Sequence, residues 1–334
     1  MALSESDLLA KQITTEIHPG DRPHHVLIAQ QFSKEWLLQQ LFPQTKEMRR
    51  RYDDNEAMNN LAGKRIKALF YEASTRTRES FEAATKLQGG DIETLTDAGR
   101  FSSAYKGESS EDSMRVRQIY RHDAYIIRHN LTGGVAEAAA ASKIPVINAG
   151  DGDGQHPTQA ALDVYTIQDE LGHIGDQRVL FVGDLMYGRT DHSLVYLLSK
   201  FPNMHFDFVS HNSRRMKSEI IDHVEEVGVS YSDFNKLTPQ LLSEADIVYV
   251  TRMQQERASH DPLPSDYDAQ DYRIDLEAVS HMKSKSIIMH PLPRLDELPK
   301  EVDSDPRAAY FRQADNGLFV RMALLDMMLG TESK

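Results

Sequence analysis

The sequence predicts an α/β protein of two domains, each a mostly parallel β-sheet flanked by helices. Short apolar runs alternate with stretches of helical periodicity along most of the chain, which is typical of βα units around a parallel sheet. A chain of 334 residues is long enough for two domains with a sizeable core. Its 40% hydrophobic and 27% charged residues are ordinary for a globular protein.

Charge and composition exclude several classes of function. The net charge of −13 argues against nucleic acid or an anionic membrane as a general partner. A site for an anionic substrate must therefore be locally basic. The chain has no cysteine, which excludes disulfides, cysteine-ligated zinc and thiol catalysis. No secretory segment opens the chain, and no apolar run approaches about 18 residues, so we expect a cytoplasmic protein.

The strongest element of the first half is a strand-to-helix junction. Residues Ile66–Tyr71 form a nearly unbroken apolar run, which predicts a strand buried on both faces. The apolar residues that follow recur at helical spacing until a Gly-Gly pair, so a helix is expected with Ser74 or Thr75 as its N-cap.

The start of this helix is basic where acidic side chains are preferred. Arg76 and Arg78 lie in its first turn, beside the orphan amide donors of the helix end. An anion such as a phosphate would relieve the mismatch. The alternative is that both arginines pair with surface carboxylates. Arg78 alone is better explained that way, since residues two apart point roughly 200° apart around a helix.

The other expected elements are weaker. Residues 1–30 carry little signal and are expected to be peripheral. Before residue 150, the pattern indicates these elements: a helix capped by Ser33 and interrupted at Pro43, a strand near Gly89–Thr96, a loop at Asp97–Ser110, a helix at Ser113–Tyr120, and strands at Ala124–Ile127 and Ile144–Asn148.

A glycine-rich turn precedes a histidine at a helix start. The run Gly150–Gly154 is not an EF-hand, because His156 stands at the sixth loop position, where the motif requires glycine. Pro157 fits the first position of the next helix. The helix dipole there disfavours imidazolium, so His156 is a candidate neutral donor to a carbonyl oxygen. The alternative is a purely structural histidine.

A second α/β unit begins near Gln177. The strand Arg178–Val182 leads into Gly183–Thr190, which superficially matches a P-loop, but Arg189 replaces the obligatory lysine. An NTPase is therefore disfavoured. The remaining expected elements are a strand at Phe206–Ser210, a helix at His211–Val227, strands at Val248–Val250 and Ile287–Met289, and a helix at Asn316–Gly330.

Several separated motifs resemble, in order, those of the aspartate and ornithine carbamoyltransferase family. They lie between about Ile66 and Gly330 and read Ser-Thr-Arg-Thr-Arg from Ser74, Gly-Glu-Ser after Lys106, His-Pro-Thr-Gln from His156, Gly-Asp-x-x-Tyr-Gly-Arg-Thr from Gly183, Thr-Arg-x-Gln from Thr251, and His-Pro-Leu-Pro from His290. Tyr105 and Met186 stand where some members carry lysine.

The resemblance implies a role for each matching residue. The implied carbamoyl-phosphate contacts are Ser74, Thr75, Arg76, Thr77, Ser102, Arg128, His156, Gln159, Pro291 and Leu292. Among these, Arg128 and His156 would contact the carbamoyl oxygen, whereas Gln159 and the carbonyls of Pro291 and Leu292 would bind the carbamoyl amine, with the Leu292–Pro293 bond cis. The implied aspartate contacts are Lys106, Arg189, Arg252 and Gln254, and the implied catalytic residues are Arg76, Thr77, Lys106, Arg128 and His156.

The resemblance also implies the domain plan and the assembly. Residues 1–157 plus 316–334 would form the carbamoyl-phosphate domain, with the last helix returning to it, and 158–315 the aspartate domain. Ser102 and Lys106 would reach into a neighbouring subunit's site, which implies a homotrimer with shared sites. Regulatory chains or other enzymes of pyrimidine biosynthesis are left open as partners.

Two motifs favour the aspartate branch. The ornithine branch usually carries cysteine in place of Thr158 and of Pro291. The implied reaction transfers the carbamoyl group of carbamoyl phosphate to L-aspartate, giving N-carbamoyl-L-aspartate and phosphate, a step of pyrimidine biosynthesis, without metal or cofactor. The alternatives are another amine acceptor such as ornithine, or a catalytically silent homologue that acts as a scaffold.

Overall fold

The computed structural model describes residues 5–97, 110–254 and 262–330. The chain divides into two compact units, Ala2–Ala161 with Asn316–Lys334 (the first unit) and Leu162–Asp315 (the second unit). Each unit contains one parallel sheet with helices beside it, which confirms the predicted fold class.

The sheet of the first unit has four strands. They are β1 (Arg65–Phe70), β2 (Asp91–Leu95), β3 (Ala124–His129) and β4 (Val146–Asp151). Their order is β2-β1-β3-β4, and every pair is parallel. Because parallel strands all end at the same edge, the segments that follow β1, β3 and β4 meet there.

Helices accompany this sheet. They are α1 (Glu5–Ile13), α2 (Lys34–Trp36), α3 (Phe42–Asp53), α4 (Arg76–Leu87), α5 (Ser110–Gln118), α6 (Gly134–Ala140) and α7 (Pro157–Leu171), the last of which continues into the second unit. Ser33 caps α2 as predicted, since its Oγ accepts the Trp36 amide at 3.2 Å. The helix is not interrupted at Pro43 as expected: a π-helical turn lies earlier, at Leu37–Leu41, and Pro43 lies in the first turn of α3.

The N-terminal segment is not peripheral, so that prediction is wrong. The Val26 amide donates to the Val146 carbonyl at 2.9 Å, and the Asn148 amide donates to the Val26 carbonyl at 2.8 Å. These bonds pair residue 26 with the outer edge of β4. Val26 and Leu27 are buried and Leu27 joins the core of this unit. The segment closes an edge that would otherwise expose β4.

The sheet of the second unit has five strands. They are β5 (Arg178–Val182), β6 (His205–Val209), β7 (Ser230–Phe234), β8 (Ile247–Val250) and β9 (Ile287–Met289). The order is β7-β6-β5-β8-β9, again parallel throughout. The sequence did not predict β7, whose polar residues suit the half-exposed edge it occupies.

Its helices are α8 (Arg189–Leu198), α9 (Ser218–Glu226), α10 (Pro239–Glu244), α11 (Leu276–Ser280) and the start of α12 (Tyr310–Leu329). The helix expected at His211–Val227 begins only at Ser218. Nδ1 of His211 accepts the Ser213 amide at 3.1 Å, and this local bond favours a short 3₁₀ turn at Asn212–Arg214 over a continuous helix.

The C-terminal helix α12 returns to the first unit, which confirms the predicted chain path. The Gln88 side-chain amide donates to the Met322 carbonyl at 3.1 Å. An Arg321 guanidinium nitrogen lies 2.9 Å from the Ser80 hydroxyl. The helix begins at Tyr310, six residues earlier than the periodicity indicated.

Within the described residues, no helix combines the length and the apolar character needed to cross a membrane.

Replacing Leu27 by alanine tests whether the N-terminal segment belongs to the core. Leu27 is 2% exposed, and removing a buried leucine side chain leaves a cavity that costs about 2–5 kcal/mol. Urea unfolding of Leu27→Ala should show a loss of that size. Leu131, in the same unit, is 62% exposed, so Leu131→Ala should change the free energy of unfolding by less than about 0.5 kcal/mol. Equal effects would contradict the assignment.

Candidate active site

In the first unit, the predicted site residues follow three neighbouring strands. Ser74–Thr77 come after β1, Arg128 is the penultimate residue of β3, and His156 follows β4. The sheet order β1-β3-β4 therefore brings these three segments to one edge. Ser102 and Lys106 lie outside the described residues.

The start of α4 has the properties of an anion site. Thr75 is the N-cap residue, as predicted, but its side chain makes no capping bond. The Thr75 side chain thus does not compete with a ligand for the first-turn amides. Thr75 and Arg76 are exposed. Arg78 instead contacts Glu79, with Nη2 3.5 Å from Oε1, and this confirms the surface pairing preferred for it.

Thr77 and His156 bring two helix starts together. Oγ1 of Thr77 lies 3.5 Å from Nε2 of His156, and both residues are buried. His156 directly precedes α7, which begins at Pro157 as predicted. Its carbonyl accepts the Gln159 amide at 2.9 Å. A hydroxyl and an imidazole thus converge near the positive ends of two helix dipoles.

Arg128 has an acidic neighbour that sequence reasoning missed. Its Nε lies 3.3 Å from Oε2 of Glu72, and its Nη1 donates to the Ala149 carbonyl at 3.3 Å. The side chain is only 11% exposed. A ligand that binds Nε of this guanidinium must therefore compete with Glu72. The only signal in the sequence was an acid two residues before the Ser-Thr-Arg motif.

A buried carboxylate shapes the turn before His156. Oδ1 of Asp151 accepts the Gln155 amide at 2.9 Å, and Oδ2 accepts the Gly133 amide at 3.0 Å. The Gln155 side chain accepts the Ala29 amide at 2.8 Å, which ties the turn to the N-terminal segment. The acid that suggested calcium thus binds backbone amides. No group of three or more His, Asp and Glu in the described part of the chain could hold a metal.

In the second unit, three more predicted segments follow neighbouring strands. Gly183–Arg189 come after β5, Thr251–Gln254 after β8, and His290–Leu292 after β9. The order β5-β8-β9 places them at one edge, as the same geometry does in the first unit. Arg189 begins α8 and is buried, whereas Arg252 and Gln254 are half-buried.

Asp184 joins two of these segments. Its Oδ1 accepts the Tyr187 amide at 3.1 Å, and its Oδ2 accepts the Gln254 amide at 3.0 Å. The Gln254 side chain donates to the Tyr187 carbonyl at 2.9 Å. Burial raises the pKa of Asp184 above its ordinary value. Asp184 had no predicted role, although its place in the Gly-Asp motif is plain in the sequence.

Two glycines permit the close packing of this turn. A Cβ on Gly183, whose φ is +127°, would lie 2.0 Å from the Thr251 carbonyl oxygen. A Cβ on Gly188 would lie 2.0 Å from Oδ2 of Asp191. The two glycines that match the P-loop pattern are thus required by close packing against Thr251 and Asp191.

The loop after β9 has an unusual backbone. The Leu292–Pro293 peptide bond is cis, as the resemblance implied, and Leu292 has a φ of +57°. Pro291 and Leu292 are half-buried.

Each unit has its own set of polar groups. The first provides amide donors, an arginine and a hydroxyl–imidazole pair suited to a phosphoryl group and a polarised carbonyl. The second provides Arg189 and Arg252, whose guanidinium groups suit carboxylates.

Two family models match the chain. Residues 24–169 match the aspartate/ornithine carbamoyltransferase carbamoyl-P binding domain, and residues 175–328 match the Asp/Orn binding domain of the same family.

Individual relatives agree with the family models. The chloroplastic aspartate carbamoyltransferase of Arabidopsis thaliana is 46% identical, covering 91% of this chain and 77% of its own. The aspartate carbamoyltransferase catalytic subunit of Methanocaldococcus jannaschii is 41% identical, covering 91% and 97%. A crystal structure of aspartate transcarbamoylase from Trypanosoma cruzi, in complex with N-(phosphonacetyl)-L-aspartic acid, has a TM-score of 0.87 at 36% identity, covering 94% and 98%.

Asp184→Ala tests the role of the buried carboxylate. The variant removes the acceptor of both the Tyr187 and the Gln254 amide, and an amide left unsatisfied costs up to about 1–3 kcal/mol when it is buried. Hydrogen exchange at these two amides should accelerate at least about tenfold. The Thr251 amide, which donates to the Val182 carbonyl, is the internal control. Unchanged exchange at Tyr187 and Gln254 would contradict the role.

Proposed function

The chain belongs to the aspartate/ornithine carbamoyltransferase family, and from this premise we propose that it is an enzyme that carbamoylates L-aspartate. Carbamoyl phosphate supplies the carbamoyl group, and the products are N-carbamoyl-L-aspartate and phosphate. Relatives that are 41–46% identical over 91% of the chain are named aspartate carbamoyltransferases, and the related Trypanosoma cruzi structure holds N-(phosphonacetyl)-L-aspartic acid. The reaction is a step of pyrimidine biosynthesis.

The observation that carries the proposal is the basic start of α4. The side chain of its N-cap residue, Thr75, makes no capping bond, and Arg76 lies exposed in the first turn. We assign the phosphate of the donor to Ser74, Thr75, Arg76 and Thr77. A dianionic group gains there from the helix dipole, from amide donors and from a guanidinium at the same time.

The carbamoyl group is assigned to the residues around His156. The aspartate amine attacks the carbamoyl carbon, the bond from that carbon to the phosphate oxygen breaks, and the departing phosphate takes up the proton that the amine loses. Negative charge develops on the carbamoyl oxygen, which Arg128, His156 and Thr77 stabilise. Donors held in place for such charge contribute about 10²–10³ each in rate. Gln159 and the carbonyls of Pro291 and Leu292 bind the carbamoyl amine.

The charge of the second substrate favours aspartate over ornithine. Aspartate carries two carboxylates, which Arg189 and Arg252 are suited to bind, with Gln254 beside them. Ornithine would present a second ammonium group to the same guanidinium groups, and like charges repel.

A product assay with carbamoyl phosphate and a panel of amines tests the proposal. We expect N-carbamoyl-L-aspartate from aspartate and no carbamoylated product from ornithine. Arg76→Ala should lower the rate by about 10²–10³. The matched control is Arg78→Ala, because Arg78 pairs with Glu79 and should matter little. Turnover of ornithine, or equal losses in the two variants, would contradict the proposal.

We also propose that the active assembly is a homotrimer in which Ser102 and Lys106 complete a neighbour's site. The support is the resemblance of Ser102, Lys106 and the following Gly-Glu-Ser to a segment that crosses between subunits in this family. Cytoplasmic location and association with regulatory chains or other pathway enzymes stay predictions.

Mixing two inactive variants tests the shared site. In the proposed trimer, each site takes Arg76 from one subunit and Lys106 from its neighbour. Hybrid trimers of Lys106→Ala and Arg76→Ala chains therefore contain some sites with both residues intact. Co-refolding the two should restore activity that neither variant shows alone. No recovery, in mixtures shown to contain hybrids, would contradict sharing.

A further inference from the structure

A hydrogen-bond network around the buried His290 of the second unit ends on the backbone of Leu292. The Leu292 amide donates to Nδ1 of His290 at 2.7 Å. Nε2 of the same imidazole lies 2.9 Å from Oε1 of Glu297, and that oxygen also accepts the Leu295 amide at 2.8 Å. The His290 side chain is 1% exposed. The network therefore holds the loop after β9 from inside the unit.

The hydrogen bonds determine where the imidazole carries its hydrogen. An amide N–H can only donate, so Nδ1 of His290 must present a lone pair. Nε2 then carries the hydrogen and donates to the Glu297 carboxylate. Burial alone would raise the pKa of Glu297, but the bonds from His290 and the Leu295 amide lower it below its ordinary value. A neutral imidazole and an ionised carboxylate thus fit together.

A second set of bonds fixes the start of the loop. The His290 amide donates to Oε1 of Gln313 at 2.9 Å, and the Gln313 side chain donates to Oδ1 of Asp163 at 2.6 Å. The Tyr249 hydroxyl donates to Oδ2 of Asp163 at 2.7 Å. The loop is therefore held through residues of α7, β8 and α12.

This support matches the strain in the loop. Leu292 has a φ of +57°, in the left-handed region that costs a bulky residue about 1–3 kcal/mol. Such a conformation persists only where the surroundings determine it. The acceptor that His290 provides to the Leu292 amide is the most direct of these constraints.

We propose that His290 and Glu297 are positioning residues that give the site its selectivity for a carbamoyl donor. The imidazole, oriented by Glu297, fixes Leu292 so that the carbonyl oxygens of Pro291 and Leu292 accept from the carbamoyl amine. This role rests on the proposed function. A donor such as acetyl phosphate carries a methyl group in place of the amine and cannot satisfy those oxygens. A site built to bind an N–H group discriminates against a ligand that lacks it.

Calorimetry with carbamoyl phosphate and acetyl phosphate tests the proposal on the full chain. The wild-type chain should bind carbamoyl phosphate more tightly. His290→Leu should weaken carbamoyl phosphate at least about tenfold, which corresponds to the loss of one hydrogen bond. The affinity for acetyl phosphate should change by less than about twofold, because its phosphate contacts are intact. His290→Asn should restore most of the ratio between the two affinities, since Oδ1 of asparagine can accept a hydrogen bond from the amide two residues later in the chain.

A second variant keeps the proposal open to contradiction if His290→Leu does not fold. Glu297→Ala removes the group that orients the imidazole and should cause the same selective loss. In a folded variant, equal weakening of both donors would indicate a merely structural role and overturn the proposal. An unchanged ratio of the affinities for carbamoyl phosphate and acetyl phosphate would overturn it too. A wild-type chain that binds neither donor would instead contradict the proposed function, and this inference with it.

Discussion

The arrangement of the candidate site depends on the parallel order of the strands. In both sheets, every predicted site segment of the described chain begins at or just after the carboxyl end of a strand, and the strands concerned are neighbours. Parallel pairing brings these ends to one edge without further specification. Residues far apart in sequence, such as Thr77 and His156, therefore meet. The sheets themselves perform no chemistry.

Buried carboxylates then give the loops their shapes. Asp151 in the first unit and Asp184 in the second each accept two backbone amides from residues outside regular strands. A buried acid is costly unless it is fully bonded, so each of these loops has one conformation that satisfies it and many that do not. The Glu297–His290 pair fixes the loop after β9 in the same way. The amides bonded to these side chains thus fix the loops that carry the guanidinium and carbonyl groups of the candidate site.

Local patterns predicted the elements best where the residues are buried on all sides. The last strand, Ile287–Met289, and the helix start at Pro157 were predicted to the residue, because an apolar run and a helix-starting proline depend little on tertiary context. The edge strand β7 was missed, since its sequence Ser-Tyr-Ser-Asp-Phe is half-exposed and carries no apolar run. The helix after β6 was predicted to begin too early, because the hydrophobic periodicity does not report the bond from the Ser213 amide to His211.

The candidate site was also only partly predictable. The sequence identified the residues of the motifs, but not the groups that contact their side chains. The contact of Glu72 with Arg128 and that of Asp151 with the Gly133 amide join separate segments, and no spacing rule reports which segments meet. Even the N-terminal segment, which carries few signals, supplies an amide to the Gln155 side chain.

The most direct test of this account is a crystal structure of the chain with carbamoyl phosphate bound, grown under conditions where turnover is measured. The account predicts phosphate oxygens within about 3 Å of the first-turn amides of α4 and of the Arg76 guanidinium. A phosphate bound elsewhere, with the Ser74–Thr77 segment vacant, would contradict it.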